Sequence, residues 1–340
     1  MPTDSYRPFL ENLSSKRCVL TVTHVRPDGD ALGTAVAMIL GMRRKGIESR
    51  LLLFDPPPAK FAFLLAENKI DWFSIAKGWP ADAKLDSFDA LLVVDTGTWS
   101  QLPALKDHLA NFKAPRLVLD HHLTQEEWAD VKLVDTEAAA AGQIAAELFK
   151  RWNVQLDAPM ATALYLAIAT DTGWFQYSNT RPATLRLAAD LLDAGADSDR
   201  IYQAAYQNER PQRLALIARA LQSLELLAAG RLAVVSVTKE DFAQTGADSG
   251  DTENLINIAM QVGTVQVSVT ISEEPSGTRQ RVSLRSKGQL DVAAFAQKFS
   301  NGQGGGHARA AGLRIDGDLA TARRNLTAAL IAALDAVGSK

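Results

Sequence analysis

The stretch His24-Val25-Arg26-Pro27-Asp28-Gly29-Asp30 places one imidazole and two carboxylates on a short segment. It follows an apolar run, residues 18–22, whose β-branched side chains predict a buried strand. It precedes a periodic segment, residues 31–44, that predicts a helix. The stretch is therefore expected on the loop leaving a strand, where open α/β sheets bind their ligands. Because two acids one glycine apart repel each other, we expect a metal ion, or a pair of them, between them.

Two further apolar segments, residues 88–94 and 116–119, end in the same kinds of side chain. A fourth segment, residues 161–168, lies in a predicted helix and is also followed by an acid. The polar side chains at these ends are Asp95, Asp120, His121, His122 and Asp171. Acids and histidines at such ends can converge on one crevice at the carboxyl edge of a sheet. Oxygen and imidazole ligands favour Mg, Mn, Fe or Zn, whereas the single Cys18 cannot build a sulfur site.

Each of these positions, taken alone, has a structural explanation that is simpler than metal binding. A single Asp after a strand is usually a helix cap or a turn former. The dipeptide Asp28-Gly29 is common in turns, and two adjacent histidines are compatible with a solvated loop. The concentration of acids and histidines at four segment ends nevertheless favours the metal site.

The quoted residues resemble a known family. The four motifs of the DHH phosphoesterase superfamily are matched in order by His24-x-x-Pro-Asp-Gly-Asp-Ala-Leu-Gly, Val94-Asp95-Thr96-Gly97, Asp120-His121-His122 and Thr170-Asp171-Thr172-Gly173. The segment Gly304-Gly305-Gly306-His307-Ala308-Arg309-Ala310-Ala311-Gly312 is similar to the signature of that family's DHHA1 domain. Within the superfamily, the layout is most similar to the bacterial bifunctional enzymes, or nanoRNases, that degrade very short RNAs and dephosphorylate 3′-phosphoadenosine 5′-phosphate.

The resemblance implies a two-metal hydrolase. The first metal would be held by His24, Asp28 and Asp95. The second would be held by Asp30, Asp95, His121 and Asp171, so that Asp95 bridges the two ions. The family usually takes Mn²⁺, with Mg²⁺ or Co²⁺ as alternatives. Two further residues are implied in catalysis, where Asp120 would orient a histidine and His122 would contact the scissile phosphate.

The glycine run 302–306 needs a physical reason, because each glycine costs backbone entropy. We interpret it as a tight loop whose amides approach a phosphate. The substrate-binding residues implied by the resemblance are Arg285, Gly305, Gly306, His307 and Arg309. Three tryptophans, Trp72, Trp79 and Trp99, are candidate base-stacking side chains, although tryptophan more often packs in a core or rim.

The chain is predicted to be an α/β protein of two domains. Strands alternating with helices predict a doubly wound, mainly parallel sheet in a DHH catalytic domain, residues 1–195. Residues 196–229 are predicted to be a linker with a connecting helix over 214–229. From there, a smaller α/β DHHA1 domain, residues 230–340, would bind substrate across a cleft between the two domains.

The composition restricts the class of partner. A net charge of −3 lacks the basic footprint that long duplex nucleic acid requires. It favours short single-stranded RNA or nucleotides bound locally. One cysteine suits a reducing cytoplasm, and no apolar run approaches the roughly 18 residues of a membrane span. We therefore expect a cytoplasmic protein without a membrane partner, and the sequence leaves its oligomeric state, including a homodimer, open.

Four alternative functions are weighed. The first is a phosphodiesterase for linear or cyclic dinucleotides, although cyclic-dinucleotide enzymes often carry membrane and sensor segments. A RecJ-like single-strand exonuclease would be expected to be longer, and a type-II pyrophosphatase would carry a different C-terminal domain. A non-catalytic nucleotide-binding protein would be expected to lack at least one ligand, whereas all the motif ligands are present.

Overall fold

The computed structural model describes residues 5–275, 277–302 and 304–338 of the chain. These residues form two compact units, of which the first ends at Asn208 and the second begins at Glu209. Each unit is an α/β structure with one six-stranded sheet, so the predicted fold class is confirmed. Gln303, in the predicted glycine loop, lies outside the described residues. No helix in the described ranges is long and apolar enough to cross a membrane.

The first unit is built on a parallel sheet. Its strands are β1 (Cys18–Val22), β2 (Glu48–Leu53), β3 (Trp72–Ser74), β4 (Ala90–Val94), β5 (Arg116–Asp120) and β6 (Val131–Val134). They lie in the order β3-β2-β1-β4-β5-β6, and every neighbouring pair is parallel. Its helices are α1 (Tyr6–Ser14), α2 (Gly29–Arg44), α3 (Ala62–Glu67), α4 (Leu105–His108), α5 (Ala141–Arg151), α6 (Ala158–Asp171), α7 (Pro182–Asp193) and α8 (Ser198–Tyr206).

Both faces of this sheet are buried, as its continuous apolar strands require. Along β4, Leu92 and Val94 enter a core formed with α1, α2, α5 and α6, whereas Leu91 and Val93 enter a second core on the opposite face. The sheet is therefore doubly wound, as predicted. Strand order reverses between β1 and β4, and ligands of open α/β sheets bind at the carboxyl ends of strands next to such a reversal.

The second unit has a mixed sheet. Its strands are β7 (Glu225–Leu227), β8 (Leu232–Val237), β9 (Val267–Glu273), β10 (Arg279–Ser286), β11 (Gly305–His307) and β12 (Ala310–Asp316). They lie in the order β11-β12-β10-β9-β8-β7, and only the β8–β9 pair among them is parallel. Its helices are α9 (Pro211–Gln222), α10 (Lys239–Thr245), α11 (Leu255–Ala259), α12 (Val292–Phe299) and α13 (Leu319–Gly338).

Two cores form on the two faces of this second sheet. Val234 of β8 and Val269 of β9 pack with α12 and α13 on one face. Ala233 and Val235 of β8 pack with α9 and α11 on the other. Alternating side chains along β8 thus serve both cores, as the period of a strand dictates.

The predicted connection between the domains differs in detail from the observed chain. The polar stretch after residue 196 contains α8, which begins where Asp197 caps the amide of Arg200. The helix expected over 214–229 ends instead at Gln222. Ser223 breaks it, because its hydroxyl accepts the amide of Ser236 and donates to the carbonyl of the same residue. The chain then pairs with β8 as strand β7. The domain limits themselves stay a prediction.

The predicted glycine loop is also partly wrong. Residues 305–307 form β11, an edge strand that pairs with β12 as a hairpin. Gly306 has a φ of +141°, and a Cβ there would lie 2.3 Å from the carbonyl oxygen of Ala310. The glycine therefore allows two backbones to approach within a hairpin. Glycine is unfavourable in strands, so the sequence pattern indicated a loop.

Candidate metal centre

Four segments of the first unit bring acids and histidines together. Three of them are the carboxyl ends of β1, β4 and β5, and the fourth is the C-terminus of α6. The start of α2 touches the end of α6 at Gly29, where a Cβ would lie 2.4 Å from the hydroxyl of Thr170. Any larger residue at position 29 would push the two helix ends apart. The glycine between the two acids of the first motif therefore lets them approach Asp171.

The first group of potential metal ligands contains His24, Asp28 and Asp95. His24 Nε2 lies 3.4 Å from Asp95 Oδ2 and 3.9 Å from Asp28 Oδ1. The other ring nitrogen, Nδ1, lies 2.9 Å from the carbonyl oxygen of Val25 and donates to it. A neutral His24 thus carries its lone pair on Nε2, aimed at the two carboxylates. One nitrogen and two oxygens face a common point, as in a cation site.

The second group contains His121, Asp30 and Asp171, together with the same Asp95. His121 Nε2 lies 3.7 Å from Asp30 Oδ2, 3.7 Å from Asp171 Oδ2 and 3.4 Å from Asp95 Oδ1. The two oxygens of Asp95 therefore face different groups. All six residues predicted as metal ligands are brought together in this way.

Asp95 occupies the centre of the cluster. Its side chain is buried, and its backbone has a φ of +63°, a left-handed conformation that costs a residue other than glycine about 1–2 kcal/mol. The buried Oδ1 atom accepts no well-formed hydrogen bond from the described residues, and its nearest partner there is His121 Nε2 at 3.4 Å. An unpaired buried carboxylate oxygen is expensive, and a coordinated cation would satisfy it.

Two acids in the cluster are buried beside other carboxylates, which disfavours their charged form. Burial, and then repulsion by Asp95, raises the pKa of Asp30 well above its usual value. The amides of Ala141 and Gly142, at the start of α5, donate to Asp30 at 2.7 and 3.0 Å. Burial and the neighbouring carboxylates raise the pKa of Asp171 to about 6. This crowding of negative charge is what a divalent cation would relieve.

The pKa values of the two histidines are raised as well, which favours their charged form. Burial opposes the protonation of His24, but its contacts with Asp28 and Asp95 raise its pKa to about 10. In the same way, Asp95 and Asp30 outweigh burial and raise the pKa of His121 to about 10. Without a metal, protons therefore provide the positive charge of the cluster. The oxygen and imidazole donors fit Mn²⁺ or a similar divalent ion, and a metal would have to displace those protons.

Asp120 lies beside the cluster and accepts hydrogen bonds at both of its carboxylate oxygens. Its Oδ1 accepts from the amide of His121 at 2.8 Å and from His122 Nδ1 at 2.8 Å. Its Oδ2 accepts from Gln125 Nε2 at 2.5 Å. These contacts outweigh the effect of burial and hold the pKa of Asp120 below its usual value. The residue is thus placed to orient the half-exposed His122 rather than to bind a cation.

Two positioning residues were missed by the sequence analysis. Gln125 bridges Asp120 and the carbonyl of His122. Asn179 donates from Nδ2 to the carbonyl of Asp171 and to that of Ala139, both at 3.1 Å. Neither amide has a periodic signature, and their short distance in sequence from Asp120 and Asp171 was the only available signal.

The predicted substrate-binding residues lie in the second unit. Arg285 of β10 pairs with Ala310 of β12, which pairs with His307 of β11, so the three occupy one row across the sheet. Arg285 is half-buried, and Nη1 donates to the carbonyl of Leu284. The exposed Arg309 lies in the turn between β11 and β12. The backbone of His307 is described, whereas its side chain lies outside the described residues.

Two family models match the chain. The DHH family, N-terminal domain, matches residues 18–168, which carry five of the six potential ligands. The DHHA1 domain matches residues 230–337. The chain therefore belongs to the DHH/DHHA1 superfamily of phosphoesterases, as its motifs predicted.

Two curated relatives match most of the chain. One is the bifunctional oligoribonuclease and PAP phosphatase NrnA of Thermus thermophilus, which is 28% identical over 88% of this chain and 84% of its own length. The enzyme of the same name from Bacillus subtilis is 24% identical over 90% of this chain and 92% of its own length. Both alignments extend across the two units.

A solved structure supports the fold. An exopolyphosphatase-related protein from Bacteroides fragilis superposes with a TM-score of 0.86, covering 96% of this chain and 95% of its own. The two sequences are 23% identical, so this similarity concerns the architecture.

Proposed function

We propose that this phosphoesterase hydrolyses very short oligoribonucleotides to mononucleotides and 3′-phosphoadenosine 5′-phosphate to AMP, with two divalent metal ions. The observation that carries the proposal is the position of Asp95, whose two oxygens face two separate groups of ligands. Support for the substrates comes from the relatives named for both activities, whose similarity spans nearly the whole chain.

The ligands are assigned by residue. His24, Asp28 and Asp95 would hold one ion, and Asp30, Asp95, His121 and Asp171 the other. Mn²⁺ is the preferred ion, because the site mixes imidazole with carboxylates, and Mg²⁺ or Co²⁺ are alternatives. The bound ions would activate water and stabilise charge on the attacking and leaving oxygens of the phosphoryl group.

The protein's own residues supply orientation and charge. Asp120 holds His122 through Nδ1, which leaves Nε2 of the half-exposed ring to contact the scissile phosphate. Asp120 raises the pKa of His122, so the ring is favoured in its charged form beside an anionic substrate. The amides at the start of α5 fix Asp30 in place.

The second unit would bind another part of the substrate. Arg285, Gly305, Gly306, His307 and Arg309 are assigned to this role. A guanidinium and the open amides of an edge strand are suitable partners for phosphate oxygens. The chain's small negative charge favours a short substrate over a long nucleic acid. The single cysteine supports a reducing, cytoplasmic location.

A hydrolysis panel tests the function. Purified protein with Mn²⁺ would be given a 5′-phosphorylated RNA dimer and pentamer, a 24-mer, 3′-phosphoadenosine 5′-phosphate, a cyclic dinucleotide and pyrophosphate. We expect the dimer, the pentamer and the bisphosphate to be preferred. A preference for the cyclic dinucleotide would instead establish the alternative phosphodiesterase, and a preference for pyrophosphate or the 24-mer would refute the proposal.

A further inference from the structure

One exposed aromatic side chain of the first unit lies close in sequence to the candidate metal centre. Tyr177 is 62% exposed, whereas the other aromatic residues of this segment, Trp174 and Phe175, pack against the first core. Isolated exposed apolar residues are common and need no explanation by themselves. The position of Tyr177 differs, because it lies on the segment that follows the predicted ligand Asp171.

The segment from residue 172 to 180 is folded back on that ligand. The amide of Tyr177 donates to the carbonyl of Thr172 at 3.0 Å, and the amide of Thr180 donates to the carbonyl of Tyr177 at 3.0 Å. Asn179 ties the same turn to the carbonyl of Asp171. The backbone of Tyr177 is thus fixed relative to the metal centre.

The ring of Tyr177 also has a defined contact with the chain. It lies over Gly173, where a Cβ would come within 2.4 Å of Cζ and 2.5 Å of Cε1 of the ring. Gly173 has a φ of +56°, so the position excludes a side chain on two grounds. Gly173 is two residues from Asp171, and their Cα atoms are therefore at most about 7.6 Å apart. The ring therefore contacts the chain at Gly173, and much of it is open to solvent.

The tryptophans considered from the sequence are placed differently. Trp79 donates to the carbonyl of Ala83 and packs against Phe73. Trp99 packs against Trp128, with ring centroids 4.6 Å apart. Trp72 is exposed, but on the edge strand β3, which β2 separates from β1. Trp79 and Trp99 are thus packed against other aromatic rings, and Trp72 lies on a strand that carries no potential ligand.

We propose that Tyr177 is the stacking platform for the nucleobase of the nucleotide whose phosphate lies at the metal centre. This inference rests on the proposed function, because it assigns a nucleotide to that site. Carboxylates and bound metals present no flat apolar face on which a base could stack. An aromatic face supplies that recognition without selecting a sequence, since every base has a π-face. Such a platform suits an enzyme that must accept short RNAs of any composition.

The test compares substrates with and without a base. The substrates are a 5′-phosphorylated diadenylate and the same dinucleotide made abasic at each position in turn. The variants are Tyr177→Ala, Tyr177→Phe, which keeps the ring, and Trp72→Ala, a control exposed aromatic residue. We expect Tyr177→Ala to lower kcat/KM on diadenylate by about tenfold or more, within the range of base–aromatic stacking. Tyr177→Phe and Trp72→Ala should stay close to wild type.

Two readouts separate stacking from a general defect. Tyr177→Ala should leave the bound Mn²⁺ unchanged and should act like wild type on the dinucleotide that lacks the stacked base. An equal loss on every abasic substrate, or no loss on diadenylate, would overturn the inference.

A binding measurement separates this inference from the proposed function. Calorimetric titration would compare AMP with ribose 5-phosphate on the Mn²⁺-loaded wild type and Tyr177→Ala. We expect the wild type to prefer AMP by about tenfold or more and the variant to lose that preference. If the hydrolysis panel fails but this preference depends on Tyr177, the proposed function is refuted and the platform stands. If hydrolysis succeeds and the preference is the same in both proteins, the platform is refuted and the function stands.

Discussion

The fully buried carboxylate of Asp120 accepts a 2.8 Å hydrogen bond from Nδ1 of His122. Oδ1 also accepts from the amides of His121 and His122, and Oδ2 accepts from Gln125. A metal ion bound at Oδ1 would have to displace some of these hydrogen bonds. We therefore expect Asp120 to act by orienting His122. An experiment can distinguish this role from metal binding.

Replacing Asp120 by Asn is expected to lower kcat by about 10- to 100-fold, the usual effect of losing a partner that orients a functional histidine. The neutral asparagine side chain lacks the negative charge that raises the pKa of His122 in the wild type. The activity of the variant should consequently decline at a lower pH than that of the wild type. A pH profile of kcat, with the Mn²⁺ content measured in parallel, checks this. Complete loss of Mn²⁺ would show that Asp120 is a ligand.

Replacing Asp95 by Asn is expected to abolish hydrolysis of every substrate, because one of the two oxygens that face the two groups becomes an NH₂ and the negative charge that both groups share is lost. The change preserves side-chain size, so folding should be retained. Element analysis of the purified protein should show the loss of bound metal. Asp193→Asn, at the exposed end of α7, is the matched control. An Asp95→Asn variant with ordinary activity and metal content would refute the two-metal assignment.

The stability of the metal-free protein should fall between pH 5 and pH 9. The pKa values of His24 and His121 are raised to about 10, so their stabilising contribution is complete below about pH 6.5 and is lost as the pH rises toward 10. The pKa of Asp171 is raised to about 6, so its penalty is absent near pH 4 and complete above pH 6. The loss of the histidine contribution and the penalty on Asp171 both lower the stability as the pH rises.

We expect the free energy of unfolding to decrease steadily over that window. Chemical denaturation in a chelator at pH 5, 7 and 9 measures it. With saturating Mn²⁺ the trend should reverse, because metal binding requires the deprotonated ligands and stabilises the folded state. A metal-free protein that becomes more stable toward pH 9 would contradict the observed crowding of carboxylates.

Much of this cluster could be predicted from the sequence, because most of its potential ligands follow apolar strands that are recognisable by their composition. Asp95 and His121 are examples, since each comes at the end of a buried parallel strand. The residues that orient the ligands could not be predicted in this way. Gln125 acts through a hydrogen bond that returns to Asp120, and such bonds depend on loop geometry rather than on periodicity.

The second unit was harder to predict for a related reason. Strand β11 is held by backbone pairing with β12, to which its glycines contribute no side chain. Strand β7 follows a helix whose apolar pattern continues past its last turn, and only the bonds of Ser223 end it. Apolar periodicity determines which face of an element is buried, but local hydrogen bonds determine where the element stops.

The role assigned to Arg285 can be tested with a control on the same strand. Arg285→Ala should raise KM for the RNA dimer by roughly tenfold or more, as expected for the loss of a charge-assisted hydrogen bond to phosphate. It should change kcat little and leave the metal content intact, because Arg285 belongs to the second unit and the potential ligands to the first.

Arg281 lies four residues earlier on β10, where it pairs with Arg314. Arg281→Ala therefore removes an equal charge from another row of the sheet and should leave KM close to wild type. If both variants raise KM equally, the effect is one of general charge. If Arg285→Ala loses bound Mn²⁺, the assignment of metal binding and substrate binding to separate units is wrong.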